Sequence, residues 1–212
     1  MTLEHFGWNS FFASQECPGI AGRVAASNHG RFLVWTQSGE VDAGVSGLLR
    51  KNSQIWPAVG DWVVLQEDSP VIVKVLDRKT KLSRKQPERE IREQVLAANI
   101  DVLFIVSGLD RDYNERRIER YLVMAHESGA RPVVLLNKTD LAEELGLDLP
   151  AVVVRIEKIS PCVQVLPLSA LQENGLAALP LMLAPGETAA MIGSSGVGKS
   201  TILNRLLRDE RQ

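Results

Sequence analysis

The chain has 212 residues, 45% of them apolar and 24% charged, which allows one large domain or two small ones and excludes extensive disorder. Its formal net charge of −2 excludes a polycation that binds nucleic acid over its whole surface. No apolar run is long enough to span a bilayer, the opening "MTLEHFGWNSFFASQE" lacks the features of a secretory signal, and Cys17 and Cys162 are too few for a disulfide framework. Reduced thiols in a cytoplasmic compartment, away from membranes, are the expectation.

After an N-terminal extension over residues 1–20, the stretch 21–77 reads as five short strands: "RVAAS", "RFLVWT", "EVDAGV", "DWVVLQ" and "VIVKVL". Turn residues separate them, including Asn28-His29-Gly30, Ser38-Gly39 and Ser69-Pro70. That spacing suggests a small closed barrel such as an OB-fold, although a small sandwich or an SH3-like barrel would give a similar pattern. Trp35 and Trp62 are expected to pack in the barrel.

Residues 78–98 read as a basic linker. Within it, Arg78 to Arg92 ("RKTKLSRKQPEREIR") holds seven Lys and Arg against two Glu, a run that either tracks a nucleic-acid backbone or is simply solvated.

From residue 99 the pattern becomes α/β. "VLFIVSGL" (Val102–Leu109) is a continuous apolar strand of the kind buried on both faces. The spacing then predicts a helix with Asn114 as N-cap, Ile118, Leu122 and Ala125 on its core face, and Gly129 past its end. Val133–Leu136 is a second buried strand. In "PAVVVRIEKIS" the β-branched residues favour a strand, whereas Pro150 at a first helical position, the Val152/Ile156/Ile159 spacing and the stop at Pro161 favour a helix. "VQVLPLSA" is a third strand, a short helix is expected from about Gly175 to Leu183 with strain at Pro180, and "ETAAMIG" is a fourth strand. Regular alternation of strand and helix implies a parallel sheet.

The last strand runs into Gly193-Ser194-Ser195-Gly196-Val197-Gly198-Lys199-Ser200-Thr201, which fits G-x-x-x-x-G-K-[ST]. Glycines at these positions let successive backbone N–H groups turn inward onto phosphate oxygens, and the following helix adds its positive end. Lys199 is expected on the β- and γ-phosphates and Ser200 on Mg²⁺. Base choice points to Asn137-Lys138-Thr139-Asp140, directly after a buried strand. The Asp140 carboxylate can accept both the N1–H and the exocyclic amine of guanine, a donor pair that adenine lacks. Ser169 and Ala170, in "LSA", end the next strand, where a backbone N–H can meet the guanine oxygen. All three segments fall at carboxyl ends of parallel strands, where such sheets bind ligands. Their order is reversed relative to an ordinary GTPase, which is the mark of a circular permutation.

With an N-terminal barrel, "EQVLAANIDVLFIVSGLD", "RRIERYLVMAHESGARPVVLLNKTDL", "LSA" and "GSSGVGKST" in this order, the whole chain resembles the ribosome small-subunit-dependent circularly permuted GTPases, the RsgA (YjeQ, EngC) family. The resemblance implies an OB-fold followed by a permuted P-loop GTPase domain, here residues 99–212. It also implies GTP or GDP with Mg²⁺ as ligands, and a GTP-hydrolysing role in late maturation of the 30S subunit. The barrel and its basic neighbour would contact 16S rRNA, and the protein would be a monomer when intact.

The family pattern further includes switch I, a D-x-x-G segment and a zinc-binding domain after the phosphate loop. No D-x-x-G occurs in this sequence and only "RDERQ" follows Leu207, so a truncated domain is expected. Two Cys with His5, His29 and His126 cannot form the family's four-ligand zinc site, and no catalytic residue is assigned. On that expectation "ETAAMIG" becomes an aggregation-prone edge strand. The alternative function is then an rRNA-binding module with impaired catalysis.

Overall fold

Period-two alternation and buried apolar runs predict two kinds of β-structure, and the chain contains both. A computed structural model describes residues 2–52, 55–85, 93–110, 113–142, 144–161, 163–172 and 175–209. These fall in two units, Met1–Ile100 with Pro185–Thr188, and Asp101–Ala184 with Ala189–Gln212.

After a 3₁₀ turn over Leu3–Phe6, the first unit continues through helix α1 (Ser10–Ala13), β1 (Ile20–Asn28), β2 (Arg31–Thr36), β3 (Gly39–Val45), helix α2 (Gly47–Asn52), β4 (Trp62–Leu65) and β5 (Val71–Val75). The strands close in the order β1-β2-β3-β5-β4, with β3 and β5 parallel and the other pairs antiparallel, so the barrel is OB-like. Alternation on β2 sends Phe32 and Val34 inward, where they meet Val24, Ala43, Val63, Leu65 and Ile72.

The same alternation corrects the expectation for Trp35 and refines it for Trp62. Trp35 lies on the outer face of β2, 38% exposed, with Nε1 donating to Glu40 at 3.2 Å and its ring stacked on Phe6. Trp62 is fully buried, but outside the barrel lumen: Val63 and Leu65 take the inward positions of β4, and Trp62 and Val64 face α1. There Trp62 packs against Phe12 and, edge-on at 4.7 Å, against Trp8. The N-terminal extension is therefore the cover of the barrel's outer wall.

Beyond the barrel, β6 (Lys81–Lys85) and β7 (Glu93–Ala98) form an antiparallel ribbon. The segment expected as a basic linker thus carries paired strands at both ends, and its centre, 86–92, lies outside the described residues. Arg78 is not available to a nucleic-acid backbone. Its guanidinium donates to both oxygens of the wholly buried Asp61, at 2.8 and 2.7 Å, and to the Trp56 carbonyl.

In the second unit β8 (Val102–Gly108), α3 (Glu115–Ser128), β9 (Arg131–Asn137), α4 (Leu149–Ile159) and β10 (Gln164–Pro167) alternate as expected, and β11 (Ala189–Ile192) and α5 (Lys199–Asp209) follow. The sheet is parallel, in the order β10-β9-β8-β11. The side chain of Asn114 caps α3 by accepting from the Arg117 N–H, Gly129 ends it in the left-handed conformation, and Ile118, Leu122 and Ala125 are buried. Asp148 caps α4, with Pro150 in its first turn, so helix wins over strand in that segment. Among the described residues β11 pairs on one side only, with β8, and all four of its residues are partly exposed. The helix expected over Gly175–Leu183 does not form. Leu179 and Met182 donate three residues back, to Leu176 and Leu179, and only the single 3₁₀ turn Pro180–Met182 results. Pro180 cannot donate an N–H to continue an α-helix.

Candidate nucleotide-binding site

Strand β9 ends at Asn137, whose side chain is 2% exposed. A buried amide needs partners on both its oxygen and its nitrogen. Asn137 Nδ2 donates to the Val197 carbonyl at 2.8 Å, and its Oδ1 accepts from the Ala170 N–H at 3.0 Å. One side chain thereby ties together the three segments singled out in the sequence. Two further backbone bonds, Leu168 N–H to the Leu136 carbonyl and Thr139 N–H to the Leu168 carbonyl, hold "LSA" beside the end of β9.

The chain reverses at Lys138, a non-glycine residue in the left-handed region (φ 67°), and enters a 3₁₀ turn over Thr139–Leu141. Lys138 Nζ pairs with the Asp110 carboxylate at 2.5 Å. Asp140 is exposed, and its Oδ1 accepts from the hydroxyl of the buried Ser169.

The phosphate loop leaves β11 through Gly193. A Cβ there would lie 2.3 Å from the Val106 carbonyl oxygen, and one at Gly198 (φ 100°) would lie 2.2 Å from Asn137 Nδ2. Both positions are closed to any side chain. Val197 is buried in the core, anchoring the loop, whereas Ser195 and Gly196 stand exposed at its crest. Lys199 Nζ folds back to donate to the carbonyls of Gly193 (2.9 Å) and Ser194 (2.6 Å). Ser200 and Thr201 lie in the first turn of α5 and are exposed.

Because β9 and β11 run in the same direction, Asp140 and Lys199 both follow carboxyl ends of strands, on one rim of the sheet. The curled glycine loop, a helix N-terminus and the Ser200 hydroxyl are the donor set that a Mg²⁺-bound phosphate chain requires. Beside the loop, on the α5 face, lies a hollow of about 1160 Å³ between β11, α5 and residues 175–183. Phe104, Met191, Leu203 and Leu206 make its wall largely apolar, and Lys199, Ser200 and Arg205 line it too. Among the described residues no three His, Cys, Asp or Glu side chains gather as metal ligands, and no helix is long and apolar enough to cross a membrane.

Three charged residues at this rim were not singled out from the sequence. Asp110 holds Lys138, Arg117 Nη1 donates to Ser194 Oγ at 2.8 Å, and Arg205 Nη1 donates to the carbonyls of Ala170 and Gln172. The available signal was position alone: Asp110 comes two residues after the buried strand β8, at the carboxyl end where such sheets bind ligands. Nearby, Tyr113 donates to Glu115, and burial first, then the Glu115 charge, pushes its phenol up to about 12.

Comparison with known proteins identifies the family. Residues 75–212 match the family described as RsgA GTPase. The small ribosomal subunit biogenesis GTPase RsgA of Methanosarcina acetivorans is 42% identical over 214 residues, 97% of this chain and 57% of that protein. Its namesake in Opitutus terrae is also 42% identical, over all of this chain and 62% of the relative. The chain thus spans about six-tenths of the length of these curated relatives. The crystal structure of YjeQ from Thermotoga maritima superposes with a TM-score of 0.67 at 26% identity, covering 87% of this chain and 64% of that one. YloQ, described as a circularly permuted GTPase, shares the fold with a TM-score of 0.66, covering 90% of this chain and 65% of its own. The barrel, the permuted motif order and these matches together place the chain in the RsgA GTPase family.

Proposed function

We propose that this chain binds GTP and GDP with Mg²⁺ along the carboxyl rim of its parallel sheet, and serves GTP hydrolysis during maturation of the 30S subunit in the cytoplasm. The observation that carries the reading is the Asn137 side chain, which joins the base motif, "LSA" and the phosphate loop in one hydrogen-bonded unit. Asp140 reads the guanine N1–H and amine, and Ser169 holds that carboxylate in place while the Ala170 backbone lies alongside. The Lys138 stem lies along the base. Backbone N–H groups of Gly193–Gly198 cradle the phosphates. Lys199 leaves its two loop carbonyls for the β- and γ-phosphates, and Ser200 and Thr201 open α5 beside Mg²⁺. The OB-like barrel and the neighbouring basic ribbon are the surfaces offered to 16S rRNA; relatives named for small-subunit biogenesis support that partner.

Competition binding of GDP, GTP and ATP to the purified chain, followed by turnover with and without 30S subunits, tests the proposal. The expected result is guanine preference and GTP turnover raised by subunits. Asp140→Asn should lower the preference, and Lys199→Ala should weaken GTP about tenfold or more, the loss of charge-assisted bonds. Equal affinity for ATP and GTP would overturn it. A second reading, rRNA binding without turnover, rests on the closed OB-like barrel. Subunit binding that survives Lys199→Ala, with no GTP hydrolysed by the unaltered chain, would favour it.

A further inference from the structure

Two residues, one after β8 and one in α3, touch both halves of the site. Asp110 bonds Lys138 of the base motif, and Arg117 in the first turn of α3 bonds Ser194 of the phosphate loop. Neither contact follows from the nucleotide-binding motifs themselves.

The placement of Asp110 is enforced by its neighbours. Its carboxylate folds back over Gly108, where a Cβ would stand 3.0 Å from Oδ2, so an added side chain there would crowd it. Lys138, for its part, is held in a left-handed conformation directly before the turn that carries Asp140. The ion pair therefore fixes the turn from which guanine is read. Arg117 is set in the same way from the helix side. Its backbone N–H is bound by the Asn114 cap, which fixes the start of α3, and Nη1 reaches Ser194 Oγ. Ser194 is also one of the two residues whose carbonyls hold Lys199.

We propose that Asp110, after β8, and Arg117, in α3, are positioning residues for bound nucleotide, Asp110 setting the base-reading turn through Lys138 and Arg117 setting the phosphate loop through Ser194. The inference rests on the nucleotide-binding reading above and deepens it by separating two roles. Asp110 governs discrimination of the base, and Arg117 governs the grip on phosphates regardless of base.

The test is equilibrium binding of GDP and of inosine diphosphate, which lacks the exocyclic amine, to the 212-residue chain and its variants, alongside thermal melts without nucleotide. Asp110→Asn should bring the GDP-over-inosine-diphosphate ratio toward one. Arg117→Gln should keep that ratio and weaken both ligands about tenfold, the scale of a lost charge-assisted bond. Arg117→Lys, which keeps the charge, should recover part of the loss. Should Asp110→Asn melt without a native transition, Gly108→Ala crowds the same carboxylate and should lower the same ratio. If the unaltered chain binds neither ligand, the nucleotide reading itself fails. If it binds and the ratio is unmoved by the Asp110 or Gly108 change, or shifted equally by Arg117→Gln, this inference is overturned.

Discussion

The side-chain amide of Asn137 donates to the backbone carbonyl of Val197, 2.8 Å away and 60 positions later in the chain. The bond joins the end of β9 to the phosphate loop, and the same side chain accepts from Ala170. Reversed motif order along the chain is thereby compatible with one site in space.

Asn137→Ala is expected to leave the Val197 carbonyl and the Ala170 N–H unpaired in a buried setting, lowering stability by about 2 kcal/mol. Gly198→Ala should act at the same contact, since its Cβ would stand 2.2 Å from Asn137 Nδ2. Urea denaturation with and without GDP checks both: each variant should lose midpoint and lose nucleotide-dependent stabilisation. A midpoint unchanged from the parent would show the bond to be dispensable.

In the barrel unit, Arg78→Ala should strand the Asp61 carboxylate, which is fully buried. Removing one partner of a buried pair costs about 3–5 kcal/mol. Replacing Arg31, whose pairing with Asp42 is exposed on both sides, should cost far less, because solvent screens an exposed pair. Thermal melts of the two variants compare them directly, and similar losses would contradict the burial argument.

Tyr113 has its phenol raised to about 12 by burial and by Glu115. The unfolded chain releases this proton near 10, so between 10 and about 12 the folded state holds more protons and stability falls as pH rises. Below 10 the contribution is fully present. Melting temperature should decline over that window, and less steeply in Tyr113→Phe. Parallel declines in the two proteins would remove Tyr113 as the cause.

Strand β11 has a neighbour only in β8 among the described residues, and its residues are partly exposed. Open apolar strand edges recruit other chains. Sedimentation velocity should therefore show the chain's average size growing with concentration. One unchanging species across the range would count against strand pairing as its route of association.

Much of this was legible along the chain because its causes are local. Asn114, Gly129 and the Ile118/Leu122/Ala125 spacing define α3 through capping and periodicity, and the glycine loop is written in contiguous residues. Pro180 gave a warning of strain, but whether a helix or a single 3₁₀ turn resulted depended on packing around Leu176 and Leu179. For the tryptophans, composition named burial and alternation alone could not say which face of each strand would be covered. The N-terminal segment decided that, by laying Phe12 and Trp8 over Trp62 while leaving Trp35 to Phe6.

By itself, the sequence determined the fold class, the permuted order of the motifs and the family, since those reside in short contiguous patterns and their succession. Only the tertiary structure decided the contacts that turn motifs into a site: Asp110 on Lys138, Arg117 on Ser194, and Asn137 between Ala170 and Val197. Side-chain hydrogen bonds between residues dozens of positions apart have no periodicity to betray them. They exist because a parallel sheet brings its carboxyl ends to one rim.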